Sequence, residues 1–588
     1  MKSKTSFFNP GLIKSNLRRF WPLFAAYALV LLLTLPIYTT IPGNSVINTI
    51  HGHIQTASVF ITFFMAIAMA MAVYGFMYNQ RSCGLISSLP LKRSTVFASA
   101  VFSGVIPVFA INLLAALAVF IPLLVGGGTA FEIESVCIWL AVTSMQYLTF
   151  FGIATVVAVI TGNIVALPVM YIIFNFLSSG IEEILRGIFS EFIFGYTVHR
   201  NVYKGTFLSP AVYLLDRSEL HVQYEYIAYE NVITGVSFSN WPMLTGYALA
   251  GAALIVISLL LFRRRRMENC GDVIAIPALR PIFKYGVAVC SALLGSVILG
   301  IFFSPLSDNS LYPALYAVFL IIGAFIGYFG SDMLMKKSFR VFKGSWPGVI
   351  VLSALCAVFI WSCTADFFGI ASDLPETEEI SCVEVSSDYF FPLELRQEAS
   401  LQQVLELNRS IIENKQEHLR TLVTDYVPYD DFSAHSITIT YNLKNGSSTS
   451  RLYSISNESK DYRLYREVLT CDESYDYYLS FGNGIMPEDI DFFWINYYDS
   501  SEDCFTGLEI DKALAGDFWS NAFAPDFLNG SYTGNNFSET PCTLEIELRS
   551  ASNRDYICIT INPDCENMIS WLEDNLGISP FKLSETKM

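Results

Sequence analysis

The residues with the clearest potential for chemistry lie in a polar insert, 78–97, between two long apolar runs. Arg81, Lys92 and Arg93 give this insert three cations and no acid, and residues 87–90 read Ser-Ser-Leu-Pro, a turn. A cationic insert between two membrane-length segments is typical of the cytoplasmic side of a membrane. Residues 83–86, Cys-Gly-Leu-Ile, are too short to span a bilayer and too apolar for an ordinary loop. We therefore expect a short helix along the membrane face, accessible to a cytosolic partner.

Other candidate chemistry is weak. His51 and His53 have the spacing of half a metal site, but without a nearby Cys or Asp they are predicted to be polar loop residues. Glu182 and Glu183 could be paired acids or a cation site, although solvated charge on an amphipathic helix is the simpler interpretation. The sequence has no P-loop, no GxGxxG after a strand, no HExxH and no GxSxG. We predict no catalytic residue, no metal site and no cofactor.

Composition indicates a chain that lies partly in a membrane. Its 588 residues are 53% hydrophobic and 15% charged, with a mean hydropathy of +0.44. Residues 1–363 hold 22 Lys and Arg against 13 Asp and Glu, whereas residues 364–588 hold 14 against 40. The net charge of −17 therefore combines a mildly basic membrane part with an acidic tail. The acidic tail would repel phosphate, so a nucleic-acid partner is not expected.

Nine apolar runs are long enough to span a bilayer. They lie at 20–39, 57–77, 97–125, 136–160, 164–181, 242–262, 283–303, 311–330 and 347–363. With the N-terminus inside, Lys and Arg concentrate in the inner segments, and the short outer loops 40–56, 126–135 and 304–310 hold none. We expect a multi-pass plasma-membrane protein of about nine transmembrane helices, with a cytoplasmic N-terminus and an extracytoplasmic C-terminal domain.

The spans and their flanks divide the chain into four predicted parts. These are an inner amphipathic helix (1–19), a six-span core (20–262) with an outer insert (182–241), a linker with three further spans (263–363), and the acidic tail (364–588). The insert is predicted to contain a short amphipathic helix at 184–194. No internal repeat stands out.

The tail is predicted to be an α+β domain. Helical spacing of apolar residues marks 400–418, and alternation marks strands at 436–441 and 449–456 around a hairpin turn at 442–446. A second strand pair (542–548 and 556–561) and a helix (565–576) follow. Six cysteines permit disulfides or buried thiols, and no spacing selects a pairing: Cys382, Cys471, Cys504, Cys542, Cys558 and Cys565.

Polar side chains inside the spans are mostly expected to join helices. They are Thr62, Asn112, Thr143, Ser144, Gln146, Thr149, Thr155 and Asn175. Asn112 and Gln146 could instead line a path. Ionisable residues are almost absent, which argues against an ion-driven carrier. The four arginines at 263–266 are interpreted as anchors facing anionic lipid, and residues 267–281 remain without an interpretation.

The order of elements resembles that of ABC-2 type permeases, the membrane subunits of ATP-binding-cassette transporters. The likeness rests on an inner amphipathic helix, two spans, an inner helix ending in SLPLKRSTVF (88–97), and the Thr-Gly-Asn turn at 161–163. More narrowly, the chain is similar to Firmicutes-type permeases with extra spans and a C-terminal extracytoplasmic domain of uncharacterised function. The matching stretches are RRRRMENCGDVIA (263–275), RPIFKYG (280–286), KKSFRVFKGSW (336–346), residues 366–385 and residues 437–455.

The resemblance implies that the loop after the second span docks in a cleft of a separate ATPase subunit. Carried over to this sequence, the docking residues are Arg81, Gly84, Leu89, Pro90, Lys92 and Arg93. An apolar, Pro-bounded protrusion flanked by cations fits a groove with an acidic rim. A loop that merely rests on lipid is the alternative. The resemblance also implies a second permease copy or a related permease as partner, surrounding membrane lipid, and export of an amphipathic or antimicrobial compound. The chain itself would not be an enzyme.

A second hypothesis belongs to another class of protein. The acidic tail could be a ligand-binding sensor that signals inward through the spans with little or no transport. Its aromatic stretches at 475–478 and 492–494 could bind a ligand, although a β-rich core uses such residues as readily.

Overall fold

A computed structural model describes most of the chain. The described residues are 8–41, 45–197, 206–227, 230–303, 311–342, 346–367, 369–387, 390–415, 417–418, 434–456, 459–474, 490–499, 504–532, 542–549, 554–561 and 563–577. The aromatic stretch predicted at 475–478 lies outside them.

Within these residues, nine helices are long and apolar enough to cross a membrane, which indicates a multi-pass helical membrane protein. They are Pro10–Thr39, Val46–Tyr78, Arg93–Gly126, Ala130–Ile160, Ala166–Phe192, Trp241–Arg264, Pro277–Phe302, Tyr312–Lys336 and Trp346–Thr364. Each overlaps one of the nine predicted runs, so the prediction of nine candidate spans is confirmed.

The first two spans are each built from several helical segments. In chain order these are α1 (Pro10–Thr34), α2 (Pro36–Thr39), α3 (Val46–Gly52), a π-helical turn (His53–Ala57), α4 (Ser58–Tyr74) and a 3-10 turn (Gly75–Tyr78). The following elements are α5 (Gln80–Ser88), α6 (Arg93–Gly126), α7 (Ala130–Ile160), α8 (Ala166–Phe192), α9 (Pro210–Arg217), β1 (His221–Ile227), β2 (Glu230–Ser237) and α10 (Trp241–Arg264). The last three spans contain α11 (Arg280–Phe302), α12 (Tyr312–Lys336) and α13 (Trp346–Thr364).

Helices extend beyond their apolar runs, which corrects three predictions. Residues 10–19 are the first turns of α1, not a helix of their own, because Asn9 caps the helix and Pro10 begins it. The amphipathic helix predicted at 184–194 is the last part of α8, continuous with the fifth span. His51 and His53 lie in helical turns rather than in a loop. Apolar length marks the lipid-facing part of a helix, whereas backbone hydrogen bonding continues to the next cap.

α7 is the most buried of the nine helices, and α10 packs directly against it. Trp139, Tyr147 and Phe150 on α7 are fully buried. At the contact with α10, Gly152 faces Gly251, and a Cβ added to Gly152 would lie 2.6 Å from the Gly251 Cα. Two glycines allow the backbones to approach this closely, as small residues do between membrane helices. The Thr-Gly-Asn turn predicted at 161–163 follows directly, before α8 begins at Ala166.

α11 and α12 make a second contact of this kind. Gly323 and Gly327 on α12 are four residues apart, and a Cβ at Gly323 would lie 2.9 Å from the Ala292 Cα of α11. Gly295 of α11 faces Gly323, since a Cβ added to Gly295 would lie 3.1 Å from the Gly323 Cα. This glycine-mediated pairing joins two of the three spans beyond the six-span core.

The chain divides into two compact units. The first comprises Met1–Leu185, Tyr203–Ser304 and Ala314–Ala357, and the second comprises Arg186–Val202, Pro305–Pro313 and Val358–Met588. The predicted outer insert is therefore divided between the units, and the end of α13 belongs to the second unit.

The second unit contains two four-stranded antiparallel sheets. Its first half has β3 (Ile380–Ser387), β4 (Phe390–Leu395), α14 (Glu398–Glu413), β5 (Ala434–Leu443), β6 (Ser448–Ser456) and α15 (Lys460–Leu469). Its second half has β7 (Ile490–Asp499), β8 (Cys504–Glu509), α16 (Ala515–Phe518), α17 (Ala524–Leu528), β9 (Cys542–Arg549), β10 (Arg554–Thr560) and α18 (Glu566–Leu576). The hairpin predicted between 436 and 456 is confirmed, and Gly446 supplies its left-handed position at φ 81°.

The two halves repeat one topology, which sequence analysis missed. The first sheet has the order β4-β3-β5-β6 and the second the order β8-β7-β9-β10, and all pairings are antiparallel. In the described residues, each half consists of a hairpin, a helical segment, a second hairpin and a helix. The likeness lies in strand order and pairing, which the hydrophobic pattern of a single sequence does not display. Both halves contribute to one buried core, which includes Ile439, Tyr453, Phe523, Ile559 and Trp571.

Candidate functional site

The insert between the second and third spans folds as predicted into a short helix, α5. Asn79 begins it, because the Asn79 side chain accepts a hydrogen bond from the backbone N–H of Arg81 at 3.0 Å. The helix ends at Ser88, where Leu89 turns extended (ψ 142°), as expected for a residue before proline. Cys83 is buried and Ile86 is half-buried, so these two residues face the protein.

The opposite side of α5 and the following turn are exposed. We call Arg81, Gly84, Leu85, Leu89, Pro90 and Lys92 the docking surface; all six are exposed. Leu85 is 69% exposed, and sequence reasoning missed it. The signal is its spacing, four residues after Arg81, which places the two side chains on one face of α5. A Cβ on Gly84 would have open space around it, so the packing of this chain does not require a glycine there.

Arg93 is exposed and also makes contacts within the chain. Its guanidinium donates hydrogen bonds to the carbonyl oxygens of Arg263 (3.3 Å) and Arg265 (3.0 Å), at the end of α10. The last carbonyls of a helix lack intrahelical donors and carry partial negative charge, so a cation there is stabilising. Arg93 therefore holds α6 against α10, and we leave it out of the docking surface.

Asn112 and Gln146 join helices in this structure. The Asn112 side chain accepts from the Tyr27 hydroxyl at 2.7 Å and donates to Ser144 at 3.3 Å. Asn112 and Gln146 are both fully buried. The Gln146 side chain accepts from Ser58 at 2.8 Å and donates to Ser218 at 3.2 Å, which connects α7, α4 and the residue after α9. These contacts correspond to the helix-joining alternative rather than to a path.

The two histidines make separate structural contacts. His53 is buried; its Nδ1 accepts from the Trp139 indole N–H at 2.9 Å, and its Nε2 lies 3.2 Å from the Thr34 hydroxyl. His51 Nδ1 lies 2.8 Å from the Leu220 carbonyl oxygen. Among the described residues, no group of three or more His, Cys, Asp or Glu could hold a metal ion.

Arg265 is a buried cation that sequence reasoning interpreted as a lipid anchor. It is 3% exposed, whereas Arg263, Arg264 and Arg266 are exposed. Its guanidinium donates to the carbonyl oxygens of Ala158 (3.1 Å) and Val159 (3.0 Å) in the last turn of α7. Burial lowers the pKa of Arg265. α10 ends at Arg264, so Arg265 leaves the helix direction and turns inward; the run of four arginines gave no sign of this.

A buried carboxylate stands out in the second unit. Asp461 at the start of α15 is fully buried and accepts hydrogen bonds from Ser410 and from Asn414 (3.0 Å), and it lies 2.6 Å from His418 Nε2. Burial raises the pKa of Asp461, but these hydrogen bonds outweigh burial and hold it below the ordinary value of 3.8.

Three tail cysteines with described side chains, Cys382, Cys471 and Cys565, are free thiols.

Comparison with known proteins finds no matching protein family, no matching curated protein and no matching solved structure.

Proposed function

We propose that this chain is the membrane-spanning permease subunit of an ATP-binding-cassette transporter of the ABC-2 type. The observation that carries the proposal is α5, a short helix between the second and third spans, with the turn that follows it. Together they expose Leu85 and Leu89 beside Arg81 and Lys92. Exposed leucines flanked by cations suit an apolar groove with an acidic rim on a separate ATPase subunit. ATP-driven closure of that subunit would then move α5 and the spans that hold it.

The surrounding assignments follow from the same proposal. The cationic segments support a cytoplasmic α5, and with nine spans the acidic tail would then lie outside the cell as an α+β domain. A second copy or a related permease would complete the path, and an amphipathic compound would be exported. The chain would not hydrolyse ATP itself, because its sequence lacks a P-loop.

Copurification with an ATP-binding-cassette ATPase from the same gene neighbourhood tests the proposal. Leu85→Asp and Leu89→Asp place a charge in the proposed groove, and each should abolish copurification and stimulated ATP hydrolysis. Leu528→Asp is the matched control, because Leu528 is another exposed leucine (46%) that lies outside the candidate spans. Unchanged copurification of both leucine variants would remove the docking proposal.

One observation favours the sensor as a second candidate function. Past the end of α8, the Gly195 carbonyl oxygen accepts a hydrogen bond from the Leu452 N–H at 3.0 Å, on the edge strand β6. The Phe194 ring packs against Tyr453, with ring centroids 5.4 Å apart. Both contacts lie within the second unit, so a ligand that rearranged this sheet would displace the residues that follow the candidate span α8.

Two changes separate the candidates. Deletion of 366–588 that preserves transport but abolishes a stress response would favour the sensor, whereas loss of transport would favour the permease. Gly195→Val is the sharper change, because Gly195 has φ 74° and an added Cβ would overlap the Tyr453 ring, with Cζ at 2.8 Å and Cε1 closer still. It should release the residues after α8 from β6 while leaving the rest of the sheet intact.

A further inference from the structure

We propose that residues 265–279, the linker between α10 and α11, form a rigid clasp, with Arg265 as its positioning residue. The clasp makes α5 move together with α7, α10 and the α11–α12 pair. This inference rests on the proposed function for its consequence in transport, but not for its structural content.

Arg265 joins the residues that lead into α5 to the end of α7. Besides Ala158 and Val159, its guanidinium contacts the Met77 carbonyl oxygen at 3.5 Å and the Met77 sulfur at 3.7 Å. Met77 lies in the 3-10 turn that precedes α5. The hydroxyl of Tyr78 in the same turn donates to the Ala158 carbonyl oxygen at 3.0 Å. The planar guanidinium presents several donors at once, so one side chain holds both the turn before α5 and the last turn of α7.

Backbone pairing holds the middle of the linker against the turn between α7 and α8. The Gly271 N–H donates to the Gly162 carbonyl oxygen at 2.7 Å, and the Ala275 N–H donates to the Ile160 carbonyl oxygen at 2.8 Å. A Cβ at Gly162 would lie 2.5 Å from the Asp272 carbonyl oxygen, so this position requires glycine. The linker therefore follows α7 as an extension of its end.

Asp272 connects the linker to the extra spans. Its carboxylate lies 3.1 Å from Arg280, the first residue of α11, and 2.8 Å from Lys337, directly after α12. Arg280 and Lys337 are each partly exposed, so neither ion pair alone would fix a helix. Together they place one carboxylate between the ends of two helices that already pack through Gly323.

As a consequence, α5, α7, α10, α11 and α12 move as one body. A push on α5 reaches α7 and α10 through Arg265 and Arg93, and it reaches α11 and α12 through Asp272. The otherwise uninterpreted stretch 267–281 thereby gains a role. Two of the three spans beyond the six-span core, α11 and α12, would therefore move with α5 during transport.

Hydrogen–deuterium exchange on the full-length protein in lipid nanodiscs tests the clasp without an ATPase. Arg265→Gln should raise the amide exchange rates of α5 and of the linker together, by about tenfold, because local opening exposes the backbone amides of both segments. Arg264→Gln is the matched control, since Arg264 is exposed, and it should change neither. A rise confined to the residues flanking 265 would overturn the clasp.

Asp272→Asn is a milder variant that spares the buried contacts. It should raise exchange at the start of α11 and the end of α12 and leave α5 unchanged. Equal protection in the variant and the wild type at both helix ends would show that Asp272 does not connect them, and would overturn that part of the proposal.

The ATPase complex separates the clasp from docking. Arg265→Gln should keep copurification and lose most of the stimulated ATP hydrolysis, whereas Leu89→Asp should lose both. A loss of copurification with Arg265→Gln equal to that with Leu89→Asp would contradict a positioning role. If no ATPase copurifies with the wild type, the proposed function fails, and the exchange experiment still decides the clasp.

Discussion

Gly152→Ala is a small change that should have a large effect, because it acts where two helix backbones touch. A Cβ at this position would lie 2.6 Å from the Gly251 Cα and 2.7 Å from its carbonyl carbon. Carbon atoms in contact prefer about 3.5–4.0 Å, so α7 and α10 must separate by roughly 1 Å. Both neighbours are backbone atoms, and no side-chain rotation relieves the overlap.

The expected cost follows from that separation. A radial gap of about 1 Å forfeits up to roughly half of the dispersion energy of each contact, and overpacking costs about 1–3 kcal/mol in well-packed interiors. We take the upper end because α7 is the most buried span and α10 packs along it. Alanine favours the helix over glycine by about 1 kcal/mol, which offsets part of the loss. The net destabilisation should be about 2 kcal/mol, or roughly 30-fold in the unfolding equilibrium.

Reversible unfolding in mixed micelles, followed by tryptophan fluorescence, measures this free energy. Gly180→Ala on α8 is the control, because nothing lies within 4 Å of its added Cβ. The control should be neutral or slightly stabilised. Equal stability of Gly152→Ala and Gly180→Ala would refute the close approach of α7 and α10.

Three further outcomes are expected. Gly323→Leu should separate α11 from α12 and cost about 2 kcal/mol in the same unfolding assay, with little effect on α7. Gln146→Leu should cost about 1–2 kcal/mol, because Ser58 loses one of its two acceptors and Ser218 loses the donor from Gln146. The low folded-state pKa of Asp461 means that its carboxylate stabilises the second unit above about pH 4, and that this contribution is lost as the pH falls through the folded pKa. A melting-temperature series from pH 6 to pH 3 should therefore fall more steeply for the wild type than for Asp461→Asn.

The nine spans could be predicted because lipid imposes one requirement on every residue of a span. An uninterrupted apolar run of about 20 residues therefore predicts a membrane span and no other common structure. Each predicted run overlaps one helix. Helix ends were less predictable. α1 continues from Pro10 to Thr34 across Pro22, and α8 continues past Gly180 and Gly187 to Phe192.

Tertiary contacts explain what sequence reasoning missed. Arg265 resembles its three neighbours in sequence and differs from them only because α10 ends one residue earlier, next to the end of α7. The family resemblance assigns Arg93 to docking, and the structure shows that its guanidinium donates to carbonyl groups at the end of α10. Which cation finds an internal acceptor is decided by the packing of distant helices, and local pattern carries no information about it.

Leu85 on α5 and Leu89 in the turn after it fit a protein groove better than a lipid surface. A helix that lies on a membrane directs its main apolar face to lipid. α5 instead directs Cys83 and Ile86 toward the protein, and its outward side alternates Leu85 with Gly84 and Ser88. Lipid contact through that side would also press small polar residues against the bilayer, whereas a shaped groove can accept two leucines and leave the serines hydrated. The arrangement of α5 therefore favours a protein partner over an interfacial anchor.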